Sequence, residues 1–299
     1  MGGDGLRYAL YLGCMIANEE YAYEMSTREI MKELGVELVD LEGESCCGNP
    51  IRSLNTRLWL YLAARNLSLA ERTGLDVLCL CSGCFESLSE AKHHLENEEL
   101  KKWVNEALSL EGLEYKGICK VKHLIQVLYD DLGAEKLRNH LKKELKGLKL
   151  ASHPGCHLLR PSKVLRADDP EDPRKLDELI KLCGAKSISY PEKLDCCGAG
   201  LLMIKPEGTL SFAGSKLKAL AEKEVDGLVT VCPACHIVFD KRQGAITKQM
   251  GVEKRIPTIY YPQLLGLALG IDFEKLGIHL NSSPVDQLIS KIGDSFTSP

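Results

Sequence analysis

Short apolar runs bounded by glycine or proline alternate along the chain with longer stretches of helical period. The runs Tyr8 to Leu12, Val36 to Leu41, Leu75 to Leu78, Leu148 to Ala151, Lys186 to Tyr190 and Val225 to Val231 are β-branched or alternating, which predicts strands. Between them, Thr56 to Thr73 carries Leu58, Tyr61, Leu62, Arg65 and Leu69 at helical spacing. Asp172 to Cys183 carries Leu176, Leu179, Ile180 and Cys183 behind an Asp172-Pro173 start. Phe85 to Leu108 and Phe212 to Glu224 also read as helices. Alternation of strand and helix implies βαβ units. The expected fold is α/β, built as two repeated halves, each a small, mainly parallel sheet flanked by helices. The Lys-, Glu- and Leu-rich stretch 134–149 reads as a charged helical linker between a first repeat, 1–133, and a second, 150–299.

The cysteines divide the chain in the same way. Cys14 is followed after 31 residues by Cys46-Cys47, and after 33 more by Cys81-x-x-Cys84. Cys156 is followed after 39 residues by Cys196-Cys197, and after 34 more by Cys232-x-x-Cys235. Counterparts are offset by 142, 150 and 151 residues, and each adjacent pair precedes a glycine, Gly48 or Gly198. Five positions recurring at such spacings mark an internal repeat.

Composition narrows the function. A net charge of −4 leaves no basic excess to neutralise a phosphate backbone, which argues against nucleic acid. No apolar stretch approaches the ~20 residues of a membrane span. The start Met1-Gly2-Gly3-Asp4-Gly5 has no basic region ahead of an apolar one, so no secretory signal is read there. Thirteen cysteines, an odd number, then point to a cytoplasmic protein whose thiols are reduced and free for metal or redox chemistry.

Cys14, Cys81 and Cys232 fall just past expected strand ends, where ligands of open α/β sheets bind and helix N-termini favour thiolates and anionic clusters. Each half thus gathers five thiols at one rim. Structural zinc and a cubane iron–sulfur cluster each take four. Adjacent Cys46 and Cys47 point in different directions and suit different metals better than one, so a multi-iron cluster would use all five. A four-cysteine site with one spectator, zinc in one half, or a plain dithiol pair are the alternatives. Cys79, Cys119 and Cys183 have no counterpart and read as structural, Cys183 on an apolar helical face.

Two copies of Cys, Cys-Cys-Gly and Cys-x-x-Cys resemble the duplicated CCG-domain family. The runs Gly155-Cys156-His157-Leu158-Leu159-Arg160-Pro161-Ser162 and Asp195-Cys196-Cys197-Gly198-Ala199-Gly200 resemble the B subunits of heterodisulfide reductases, and the likeness extends from about Tyr8 to Leu269. It implies a noncubane [4Fe-4S] cluster in each half. The first would use Cys14, Cys46, Cys47, Cys81 and Cys84, and the second Cys156, Cys196, Cys197, Cys232 and Cys235. It further implies reduction of the mixed disulfide of coenzyme M and coenzyme B, a reaction of methanogenesis, at the paired clusters. Gly48-Asn49-Pro50 and Ser82 depart from the methanogen pattern, so a related small-molecule disulfide is also expected. Other CCG proteins serve sulfur oxidation or oxidation of lactate, glycolate and succinate. An electron-transfer or scaffold subunit of such a complex is the second reading.

Duplication suits the chemistry. Cleaving a disulfide takes two electrons, and iron–sulfur clusters supply them singly. The released thiolates need protons. His153 and His157 flank Cys156 and are candidate donors, with turn capping or packing as the plainer roles. Arg160, or less readily Lys163, would bind an anionic substrate tail. The chain has no Cys-x-x-Cys-x-x-Cys run and no Gly-x-Gly-x-x-Gly after a strand. Electrons are therefore expected from a ferredoxin-like [4Fe-4S] partner, of the kind the family uses as its C subunits. A flavoprotein like the family's A subunits is expected further upstream.

Overall fold

The computed structural model describes residues 5–252 and 254–294. Strand β1 (Arg7–Tyr11) lies between β2 (Glu37–Asp40) and β3 (Val77–Cys79), and β4 (Val121–His123) adds beyond β3. All pairings are parallel, with Ala9 opposite Val39 and Val77. The second half repeats this: β5 (Lys149–His153) between β6 (Lys186–Ser187) and β7 (Gly227–Thr230), with β8 (Thr258–Tyr260) outside β7, all parallel. The fold is the expected α/β repeat of two small parallel sheets flanked by helices. Crossover helices bury both faces, so β3, β7 and β8 are apolar and fully buried rather than alternating.

The helix Thr56–Thr73 has the expected bounds, capped where the Asn55 side chain accepts from Leu58 N. Elsewhere the elements differ. The stretch Phe85 to Leu108 is two helices, Ser82–His94 and Glu98–Leu108. Asn97 separates them, because its side chain accepts from Glu99 N and Leu100 N and so starts a new helix. The helix expected from Phe212 begins at Pro206, whose fixed φ suits a first turn. In the linker only Gly133–His140 is helical; beyond it Lys142 N and Lys143 N bond to Ala268 O. Strands β4 and β8 were not expected, since three residues show no period.

The carboxyl ends of the two sheets face each other. Ser82 Oγ, just past β3, donates to Val231 O, just past β7, at 3.3 Å. His123 Nε2, at the end of β4, lies 3.1 Å from Leu80 O and 3.2 Å from Val231 O. Tyr23 Oη donates to the same carbonyl at 3.0 Å, and its ring stacks on Tyr260 with centroids 4.1 Å apart. Tyr260 Oη donates to Glu20 at 2.6 Å. These side chains are buried, so the halves share one apolar interior.

Candidate metal centre

The strand ends deliver the cysteines to this facing seam. The chain leaves β1 through Gly13, with φ of +67°, and Cys14 follows on the first turn of a short helix. A Cβ at position 13 would lie 2.8 Å from Cys84 Sγ, so only glycine lets the two loops approach. Cys81 occupies the position just before the helix Ser82–His94, and Cys84 lies on its first turn. The adjacent pair is tied from behind: Trp59 Nε1 donates to Ser87 Oγ at 2.8 Å, and Ser87 Oγ donates to Cys47 O at 2.9 Å. The second half places Cys156, Cys196-Cys197, Cys232 and Cys235 through the same loops.

The ten repeated cysteines lie in one continuous string of neighbouring thiols. It runs Cys14, Cys46, Cys47, Cys84, Cys81, crosses between the halves to Cys232, and returns through Cys235, Cys197, Cys196 to Cys156. The crossing is buried, while Cys14 and Cys196 near the two ends are exposed. Protons divide in the same way in both halves. Cys46, hydrogen-bonded by Cys14 and Cys47, is held at about 2, and Cys14 is pushed up. Cys196, hydrogen-bonded by Cys156 and Cys197, is also held at about 2, and Cys156 is pushed up. A metal entering the string would displace the remaining protons.

Cys79, Cys119 and Cys183 lie outside it. Cys183 is buried 3.9 Å from Tyr261 Oη, and Cys119 donates weakly to Leu67 O. Burial raises all three thiols above their ordinary value. A groove of about 780 Å³ beside the linker, lined by Arg138, Lys142 and Lys181 among others, holds no cysteine.

The other expected residues have different surroundings. His153 is buried; its Nδ1 accepts from Lys216 Nζ at 2.9 Å, and Nε2 has no partner. One imidazole nitrogen and the sulfurs of Cys197 and Cys235 lie within 4.8 Å of one another. His157 is half exposed, with Nδ1 3.6 Å from the buried carboxylate of Glu86 in the first half. Hydrogen bonding to Glu86 raises the His157 imidazole above its usual value. Burial pushes Glu86 up, but His157, Glu90 and Arg52 outweigh it and hold the carboxyl at about 2. Arg160 is turned to the surface, with Nη2 3.0 Å from both Pro170 O and Glu171. Lys163 is exposed.

Sequence reasoning missed Lys216 and Glu86. A signal for Lys216 was present: Ala213, Leu217 and Leu220 mark the buried face of its helix, and position 216 falls on it. Five thiols per half, an approach only Gly13 permits, an orphaned imidazole nitrogen and a buried ammonium together fit an anionic iron–sulfur core. A single zinc ion would leave one thiol of each five unused.

The CCG family, described as a cysteine-rich domain, matches residues 8–89 and 150–240. The chain is 40% identical, over 96% of its length and 97% of the relative's, to the B subunit of the ferredoxin/F(420)H(2)-dependent CoB-CoM heterodisulfide reductase of Methanosarcina acetivorans. It is 38% identical, over 96% of its length and 98% of the relative's, to a protein of Archaeoglobus profundus described as like heterodisulfide reductase B subunits. It is also 32% identical, over 92% and 96%, to the 8-methylmenaquinol:fumarate reductase membrane anchor subunit of Wolinella succinogenes. Among solved structures, a hypothetical protein from Helicobacter pylori shares the fold, with a TM-score of 0.73 and 18% identity. That match covers 92% of this chain and 51% of the other, so the chain spans about half of that structure. Among the described residues, no helix is long and apolar enough to cross a membrane.

Proposed function

This chain belongs to the CCG cysteine-rich domain family, in two copies, and from that premise we propose that it is the catalytic subunit of a heterodisulfide reductase complex, reducing a small-molecule disulfide to two thiols. At the coarser level, relatives named as heterodisulfide reductase B subunits make it an iron–sulfur oxidoreductase subunit. The observation that carries the finer reading is the string of ten thiols, five from each half, joined at Cys81 and Cys232. Two noncubane [4Fe-4S] clusters, each on one set of five, would supply the electrons one at a time.

The chain's own groups supply the rest. His157 holds a proton at the solvent side of the seam, and Glu86 keeps that imidazole protonated at higher pH. His153 does not share this role in our reading, since it is buried and its Nδ1 is taken by Lys216. Arg160 is held by a hydrogen bond to Pro170 O and an exposed pair with Glu171, and such pairs contribute ~0–1 kcal/mol, so an anionic substrate tail can draw it away. Electrons arrive from a ferredoxin-like partner fed by a flavoprotein, in the cytoplasm. The mixed coenzyme M–coenzyme B disulfide is the first-choice substrate, following the name of the Methanosarcina acetivorans relative.

Anaerobic purification should give about eight irons per chain. Adding the disulfide, or one of its thiols to the oxidised protein, should produce a new iron-based EPR signal. Stoichiometric zinc with little iron would overturn the cofactor. Full iron with a spectrum indifferent to disulfide and thiol would leave an electron-transfer or scaffold subunit, the second reading.

A further inference from the structure

The two halves share strand order and cysteine placement but not charge. Tyr11 and His153 end β1 and β5 at matching positions; Asn66 and Lys216 each stand twenty residues after the first cysteine of an adjacent pair. In the first half the groups are neutral. Tyr11 Oη donates to Ser45 O at 2.6 Å, and Asn66 accepts from Ser45 N at 2.8 Å and donates to Cys46 O at 3.2 Å.

In the second half the same space holds a cation. Lys216 is fully buried and spends its three ammonium protons on His153 Nδ1 at 2.9 Å, Lys193 O at 3.1 Å and Asp195 O at 3.0 Å. It makes no ion pair with a carboxylate among the described residues. The rings of Tyr190 and Phe239 stand 5.6 and 6.0 Å from Nζ. A buried ammonium without a counter-ion is strongly disfavoured, so its counter-charge belongs in the adjoining thiol cage. Donation from Lys216 fixes the imidazole tautomer as well: Nδ1 accepts, so Nε2 carries the hydrogen. Nε2 is buried without a partner, and one of the ring nitrogens lies within 4.8 Å of the sulfurs of Cys197 and Cys235.

Nearby positive charge and hydrogen bonds to sulfur both favour the reduced form of an iron–sulfur centre. We propose that Lys216, acting through His153, makes the second cysteine set the more electron-accepting of the two, so that an electron from an external one-electron donor resides there first. Lys216 is a positioning residue in this account, and the inference rests on the iron–sulfur reading above.

The test is a dithionite titration of the anaerobically loaded protein followed by EPR. Signals are assigned to each half by their loss in Cys84→Ser and Cys235→Ser. The wild type should show the second site reduced first. Lys216→Met should lower the second site's reduction equilibrium constant at least tenfold, about 59 mV for one electron, and leave the first unmoved. Lys216→Arg should keep most of the difference. His153→Phe, which packs against Phe239 in the same slot, should shift the second site in the same direction by less, and guards against misfolding of the lysine variant. Equal shifts at both sites, no shift, or a first site reduced first in the wild type would overturn the inference while the iron–sulfur reading stands. Iron analysis showing fewer than two clusters in the wild type would instead bring down both.

Discussion

At the scale of single residues, the division of the cysteines is open to direct test. Cys46→Ser or Cys197→Ser should remove one site's iron, about half the total, whereas Cys183→Ser should leave metal content unchanged. Equal losses in all three would refute the division, and iron analysis of the anaerobic proteins decides it. Gly13→Ala should act like a ligand loss in the first half alone. Its Cβ would meet Cys84 Sγ at 2.8 Å, and a left-handed φ costs an alanine roughly 1–2 kcal/mol. The ten repeated cysteines were legible in the sequence because recurrence at fixed offsets needs no knowledge of packing. Lys216 was not read, because a lysine on an apolar helical face is informative only once that face is known to be sealed. The surroundings of His153 and Arg160 were equally hidden. Adjacency to Cys156 says nothing of which side chain turns inward.

At the scale of elements, the helices that were legible are those with strong caps or long periodic faces, such as Thr56–Thr73. What went unread is local chemistry that overrides a run of good helix formers. Asn97 shows this: a long Leu-, Glu- and Lys-rich stretch is cut because its side chain satisfies two backbone N–H groups. Asn97→Ala should destabilise the protein by ~1 kcal/mol, measured by denaturant midpoint, without lowering iron content. Loss of iron would mean that the helix Glu98–Leu108 matters to the metal centre, against its place away from the seam. Strands β4 and β8 escaped because a three-residue strand is specified by its neighbour's ladder rather than by its own pattern.

At the scale of the molecule, the facing sheets make the two cysteine sets one unit. Tyr23 belongs to both halves through its stack on Tyr260 and its hydrogen bond to Val231 O. Tyr23→Ala should cost ~3–5 kcal/mol, as large buried aromatics do, and should lower the iron of both sites together. Loss confined to the first site would show that the halves fold and load independently. The same unity bears on activity. If each set of five deals with one sulfur of the substrate, disrupting Cys84 or Cys235 alone should abolish turnover with a chemical reductant. A retained half of the activity would mean that the sites work separately.

Cys81 and Cys232 are counterparts in the repeat, and they touch. Adjacency of a residue to its own copy is what a pseudo-two-fold axis between the halves produces. A lone repeat pairing with itself would preserve that axis as strict symmetry, and whatever one copy held at a position its twin would hold too. It could present two lysines or two asparagines beside its metal sites, never one of each. Covalent fusion of the two halves lifts that restriction. Each half is then free to drift, and the centre gains what a symmetric ancestor could not possess: a direction.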